Sequence, residues 1–263
     1  MFLWKAGVAT AAWDMPLRRT IQAAGDAGAA GVQFDCRTQV KPRELGTTAR
    51  GELRHLLEER NLGIASLTMP LRKPLADEEH LDARLDALRE AMDFAAELKC
   101  RTLTVAIGPW PVAKSPDAAR LLDVLNDLAK YGNHVGVVFT ISAPTDSATI
   151  AKEWLESVTQ GPLQWDFDPA SWVFLGQDPV PALKTLHEHI GHVQIRDGLA
   201  SLDRPGTGEE TAVGRGEVEW EPLLACIDDI KYRGWLTVRR TNGANVYEDS
   251  KNALAYIRRV AGG

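Results

Sequence analysis

The stretch that decides the fold is LQWDFDPASWVFLGQDPVPALKTLHEHIGHVQIRD, residues 163–197. Its first and last pieces alternate. In LQWDFDP (163–169), Leu163, Trp165 and Phe167 form one face, and Gln164, Asp166 and Asp168 form the other. In HVQIRD (192–197), Val193 and Ile195 oppose His192, Gln194 and Arg196. A period of two marks β-strands. Between them, residues 180–189 carry a helical pattern, so the stretch predicts one strand–helix–strand unit with parallel strands.

The same unit recurs along the chain. Strands are predicted at about residues 3–9, 31–37, 64–69, 101–108, 135–142, 163–169, 192–197 and 235–241. Helical patterns are predicted at about 17–28, 49–60, 78–98, 117–131, 149–159, 180–189, 221–232 and 250–260. Eight β/α units with right-handed crossovers close most economically into an α/β single-domain (β/α)8 TIM barrel spanning residues 1–263. An open doubly wound sheet is the alternative, but no GxGxxG follows the first strand to hold a dinucleotide. The glycine-rich stretch Gly206–Gly216 reads as a connection between the seventh strand and its helix.

Composition bounds the function. With 30 Lys+Arg against 36 Asp+Glu the formal net charge is −6, which argues against nucleic acid or an anionic membrane as partner. Three widely spaced cysteines, Cys36, Cys100 and Cys226, suit a reducing compartment better than a disulfide framework. The opening MFLWKAGVATAAWD does not read as a signal peptide, and no apolar run approaches membrane-spanning length. The expected setting is cytoplasmic.

In a barrel the apolar strand face meets the helices and the other face the lumen. Catalytic groups come from the C-terminal strand ends. The inward residues nearest those ends are Arg37, Ser142, Asp168, Arg196 and Arg239, with Asp35 one layer below. Three guanidiniums there need anions or carboxylates. They form either a self-satisfied Arg/Asp network or a pocket for an anionic ligand. Trp13, Trp110 and Trp172 follow strands one, four and six and could cover the mouth, although packing beneath loops explains each of them. His187, His189 and His192 read as structural or solvent-facing.

Seven segments, GDAGAAGVQFDCR, LGIASLTM, LKCRTLTVAIG, LQWDFDPASW, IGHVQIRDG, GRGEVEWEPLLACI and YRGWLTVRR, together resemble the xylose-isomerase-like TIM barrels that include sugar phosphate isomerases and epimerases. The resemblance covers nearly the whole chain. It implies a site with one divalent metal held by Glu, Asp, His and Glu at the ends of strands five to eight. Carried over, those positions are Ser142, Asp168, Gln194 and Arg239, so three of four ligands are replaced and no metal or other cofactor is expected. Arg239 is expected instead to reach Asp168 or another lumen carboxylate, or else to face an open pocket for an anionic ligand.

Two functions fit. One is an isomerase/epimerase-like protein acting without the usual metal on a small hydroxylated, anionic carbohydrate-type ligand. Asp168 and Asp35 would serve as acid/base groups, and Arg37, Ser142, Gln194, Arg196 and Arg239 would contact the ligand. The other is a catalytically inactive TIM-barrel binding protein. DNA repair, the activity of abasic-site endonucleases that share this barrel type, would require a zinc cluster this lumen does not supply. The resemblance is compatible with a homodimer.

Overall fold

A computed structural model describes residues 4–204 and 206–262. Eight parallel strands close into a barrel: β1 (Lys5–Ala9), β2 (Gly31–Asp35), β3 (Gly63–Thr68), β4 (Thr102–Ala106), β5 (Val138–Ser142), β6 (Leu163–Phe167), β7 (Ile190–Ile195) and β10 (Trp235–Val238), which pairs with β1. Helices α1 (Leu17–Asp26), α2 (Thr47–Glu59), α3 (Leu81–Glu97), α4 (Pro116–Val135), α5 (Ala148–Ser157), α7 (Pro179–Leu186), α8 (Trp220–Asp229) and α9 (Val246–Gly262) follow the strands. No helix among the described residues is long and apolar enough to cross a membrane.

The expected eight units are present, with local differences. The expected first strand begins at Leu3, outside the described residues. The strand expected over 135–142 starts only at Val138 because α4 runs on to Val135 and ends at Gly136, whose φ of 78° is the left-handed cap that glycine accepts. Two short elements escape a pattern search: α6 (Pro169–Val173) behind β6, and an antiparallel pair, β8 (Asp197–Ala200) with β9 (Gly208–Thr211). The second strand of that pair lies within what reads as a glycine-rich connection.

The lumen is polar. Gln33, Ser66, Thr104, Thr140, Asp166, His192, Gln194 and Thr237 are all buried inside it, where barrels of this type usually stack branched apolar residues. Two register shifts bring partners together. Between β2 and β3 the register steps from Val32↔Ile64 to Gln33↔Ser66, and Gln33 Nε2 donates to Ser66 Oγ at 2.7 Å. Between β6 and β7 it steps from Trp165↔Ile190 to Asp166↔His192, and His192 Nδ1 lies 2.8 Å from Asp166 Oδ1. The skipped residue Gly191 has no room for a side chain, since a Cβ there would come within 2.7 Å of the Gln164 side chain. At the opposite end of the barrel the Trp235 ring fills the opening above Gly31, where a Cβ would lie 2.6 Å from the indole.

Asp197, at the start of β8, organises the connection to α8. Its carboxylate is fully buried and accepts from the amides of Gly198, Gly214, Gly216 and Val218 and from Trp220 Nε1, at 2.8–3.2 Å. A Cβ on Gly216 would fall 2.1 Å from that carboxylate. The RD and GxGxVxW pieces of the sequence are thus one structural clasp. Replacing Asp197 by Leu should lower stability by about 3 kcal/mol or more, because several buried donors lose their acceptor at about 1–3 kcal/mol each; the urea midpoint measures this, and an unchanged midpoint would contradict it.

Candidate active site at the barrel mouth

The C-terminal strand ends open into two adjoining cavities of about 340 and 410 Å³. Ala106, Ser142, Asp166 and Arg239 border both of them. The smaller also touches Asp168, Arg196 and Phe174, and the larger touches Gln33, Asp35 and Gln194.

Asp168 follows β6 and caps α6, its Oδ1 accepting from the Ala170 amide at 3.1 Å. Its Oδ2 accepts from Ser171 Oγ at 3.0 Å and from Arg196 at 2.8 Å. Arg196 also donates through Nε to Glu210 Oε2 at 2.8 Å and lies over the Phe174 ring. Burial works against the Arg196 charge, but Asp168 and Glu210 more than offset it, and its pKa rises.

Glu210, from β9, is the residue that sequence reasoning missed. Its nearly buried carboxylate also accepts from the Thr241 amide and hydroxyl, both at 2.7 Å. Arg240 joins the network through Glu210 and through Asp249 at 3.0 Å. Burial opposes ionisation of Glu210, yet the Thr241 amide, Arg196 and the Thr241 hydroxyl together hold its pKa below the ordinary value.

Arg239 does not pair with Asp168 as the sequence led us to expect. Its backbone amide bonds to Ile195 O, but its guanidinium has neither a hydrogen-bond nor an ion-pair partner among the described residues. Arg196 has taken the carboxylate, because it stands on the strand next to Asp168 and is steered there by Glu210. The half of the Arg/Asp reading that expected a self-satisfied network therefore describes Arg196, and the half that expected an open cation describes Arg239.

The other expected site residues divide similarly. Ser142 and Gln194 line the mouth. Gln194 is 2% exposed and donates from Nε2 to both oxygens of Asp166, leaving Oε1 buried without a donor. Asp35 accepts on Oδ1 from the amides of Arg37 and Thr38, and its Oδ2 has no donor among the described residues. Arg37 itself lines neither cavity: β2 ends at Asp35, the chain turns, and the Arg37 guanidinium bonds to the carbonyl of Pro70, a residue that borders the larger cavity. Trp13 packs edge-on to Tyr247 of α9, and Trp110 stacks on Trp154 of α5. His192 is structural, completely buried between Asp166 and Thr237 Oγ1.

The metal that the resemblance implies does not fit this donor set. A divalent ion among Ser142, Asp168, Gln194 and Arg239 would meet one carboxylate, already ion-paired to Arg196, beside a free guanidinium. Among the described residues no group of three or more His, Cys, Asp or Glu side chains is placed to hold an ion.

The depressed Glu210 pKa has a stability consequence. The stabilisation it provides is complete above its ordinary value of 4.5 and is lost as pH falls through the lowered folded value. Glu210→Gln should therefore cost about 1–3 kcal/mol at pH 7, with the gap from the unsubstituted protein narrowing below pH 4.5. Denaturation at pH 7 and pH 3 would show a constant gap if this account were wrong.

Comparison with known proteins places this architecture. Inosose dehydratase of Klebsiella pneumoniae subsp. pneumoniae is 33% identical over 103 residues, an alignment covering 33% of this chain and 34% of that protein. Inosose dehydratase of Bacillus thuringiensis is 27% identical over 248 residues, 80% of each chain. Among solved structures, a xylose isomerase domain protein from Planctomyces limnophilus superposes with a TM-score of 0.85 at 24% identity over 99% of both chains. A D-psicose 3-epimerase crystallised with D-fructose gives 0.78 at 18% identity, over 98% of this chain and 100% of that one. The sequence profile of one family matches residues 21–260, and by that match the chain belongs to the xylose isomerase-like TIM barrels.

Proposed function

We propose that this protein binds a small hydroxylated, anionic carbohydrate-type ligand at the barrel mouth, in the manner of a sugar isomerase/epimerase that works without the usual metal site. The observation that carries this reading is the Arg239 guanidinium, on a residue that borders both cavities, with no anion among the described residues to pair it. Arg239 is partly exposed at the cavity mouth, so its guanidinium is open to an anionic ligand, which its planar fork of donors would match. Ser142 and Gln194 offer hydroxyl and amide contacts beside it. The relatives named inosose dehydratase, and structural neighbours that include a D-psicose 3-epimerase, support a carbohydrate-type ligand.

For proton transfer next to a carbonyl, Asp35 and Asp168 are the proposed acid/base groups. Asp35 is the better placed, with Oδ2 free at the larger cavity, whereas both oxygens of Asp168 are engaged. That engagement favours a second reading, an inactive protein that binds its ligand without turnover. Incubation with hydroxylated keto acids in deuterated water separates the two: deuterium entering carbon beside the carbonyl, and lost in Asp35→Asn, supports an enzyme.

Arg239→Gln tests the shared part of both readings. Because the guanidinium has no partner to lose, the melting temperature should change by no more than about 1–2 °C. Binding of sugar acids or sugar phosphates should weaken about 10- to 100-fold, as expected for loss of a charge-assisted contact. Calorimetric titration showing unchanged binding would remove Arg239 from the site.

A further inference from the structure

We infer that the mouth is built for a polyhydroxy monocarboxylate, a sugar acid, rather than for a sugar phosphate or a neutral sugar. This rests on the reading proposed above and narrows its ligand class. The first argument is a charge inventory. Three guanidiniums stand at the mouth, but Arg196 is held between Asp168 and Glu210, and Arg240 between Glu210 and Asp249. Only Arg239 is uncommitted among them. Asp35 and Asp166 border the larger cavity as well. One free cation among several carboxylates complements one negative charge; a phosphate dianion would leave its second charge facing Asp35 and Asp166. The Ala170 amide at the start of α6 is already taken by Asp168 and cannot assist.

The second argument is independent of charge. The Gln194 amide has a determined orientation, because Nε2 bonds to both Asp166 oxygens at 3.2 and 3.0 Å, and rotating the amide would set oxygen against carboxylate. Oε1 is therefore a buried acceptor with no donor among the described residues, carried by a residue that borders the larger cavity. Such an atom costs free energy until a donor reaches it. Gln194 pairs in register with Thr237, so Arg239 stands two residues further along the neighbouring strand, one lumen layer nearer the mouth. A ligand lying along the lumen can give its carboxylate to Arg239 and a hydroxyl to Gln194 Oε1. The cavity of about 410 Å³ falls within the size of small-molecule sites.

The experiment is calorimetric titration of the intact protein with D-gluconate, D-glucose 6-phosphate, D-sorbitol and hexanoate, repeated on Arg239→Gln and Gln194→Leu. D-Gluconate should bind at least about tenfold more tightly than each of the other three, a difference of roughly 1.4 kcal/mol. Arg239→Gln should reduce D-gluconate to the D-sorbitol level. Gln194→Leu should weaken D-gluconate about tenfold while leaving hexanoate unchanged. If Gln194→Leu fails to fold, the D-gluconate to hexanoate ratio on the unsubstituted protein decides the hydroxyl requirement, and a ratio near one overturns it. D-Glucose 6-phosphate binding as tightly as D-gluconate overturns the monocarboxylate assignment but leaves the proposed anionic-ligand site standing. D-Sorbitol binding as tightly as both anions, or no binding by either anion, overturns both.

Discussion

A carboxylate enclosed in a barrel must be met by donors, and Asp166 is met by His192 and Gln194 from the neighbouring strand. Leaving a buried acceptor without its donor costs about 1–3 kcal/mol, and the rest of the lumen is arranged around this group. The β6–β7 register shift opposes Asp166 to His192. Thr237 meets the far ring nitrogen of His192 at 2.8 Å, tying β10 to the same group. The Gln194 amide is turned by Asp166, which leaves its oxygen buried with no donor among the described residues.

One layer nearer the mouth, the three arginines divide into two roles. Arg196 and Arg240 are structural cations, linked through Glu210 into a chain that ties β7, β9, the end of β10 and α9 together. Arg239 stands outside that chain. In the proposed site a guanidinium with no partner among the described residues shares a cavity with Gln194, whose amide oxygen is also unpaired, and a ligand meeting both would supply the missing partners. This differs in kind from a metal-centred site: the positive charge belongs to the chain itself and is directional, because a guanidinium donates through a planar fork.

The antiparallel pair β8–β9 joins structure to site. Asp197 fastens its first strand by gathering amides from the segment that follows it, and Glu210 on its second strand reaches over the mouth to Arg196 and Thr241. Phe174, under the Arg196 guanidinium, also packs where side chains on Gly198 and Gly208 would have to go, so the two strands can lie directly on its ring.

By itself the sequence determined the eight-unit barrel and which strand residues face inward, because a period of two in strands and the count of units depend only on local pattern and on chain connectivity. Parity also singled out Arg37, Ser142, Asp168, Arg196 and Arg239 as the mouth residues and the resemblance added Gln194; all of them but Arg37 border the cavities. Which guanidinium holds which carboxylate was decided only in three dimensions. Arg196 and Arg239 look equivalent by parity, and Glu210, whose position favours one over the other, lies in a four-residue polar strand too short to show a period. The turn that removes Arg37 and the register shifts inside the barrel are likewise tertiary outcomes. They arise where buried polar groups need partners on neighbouring strands, a requirement set between segments far apart in the chain and written in neither segment alone.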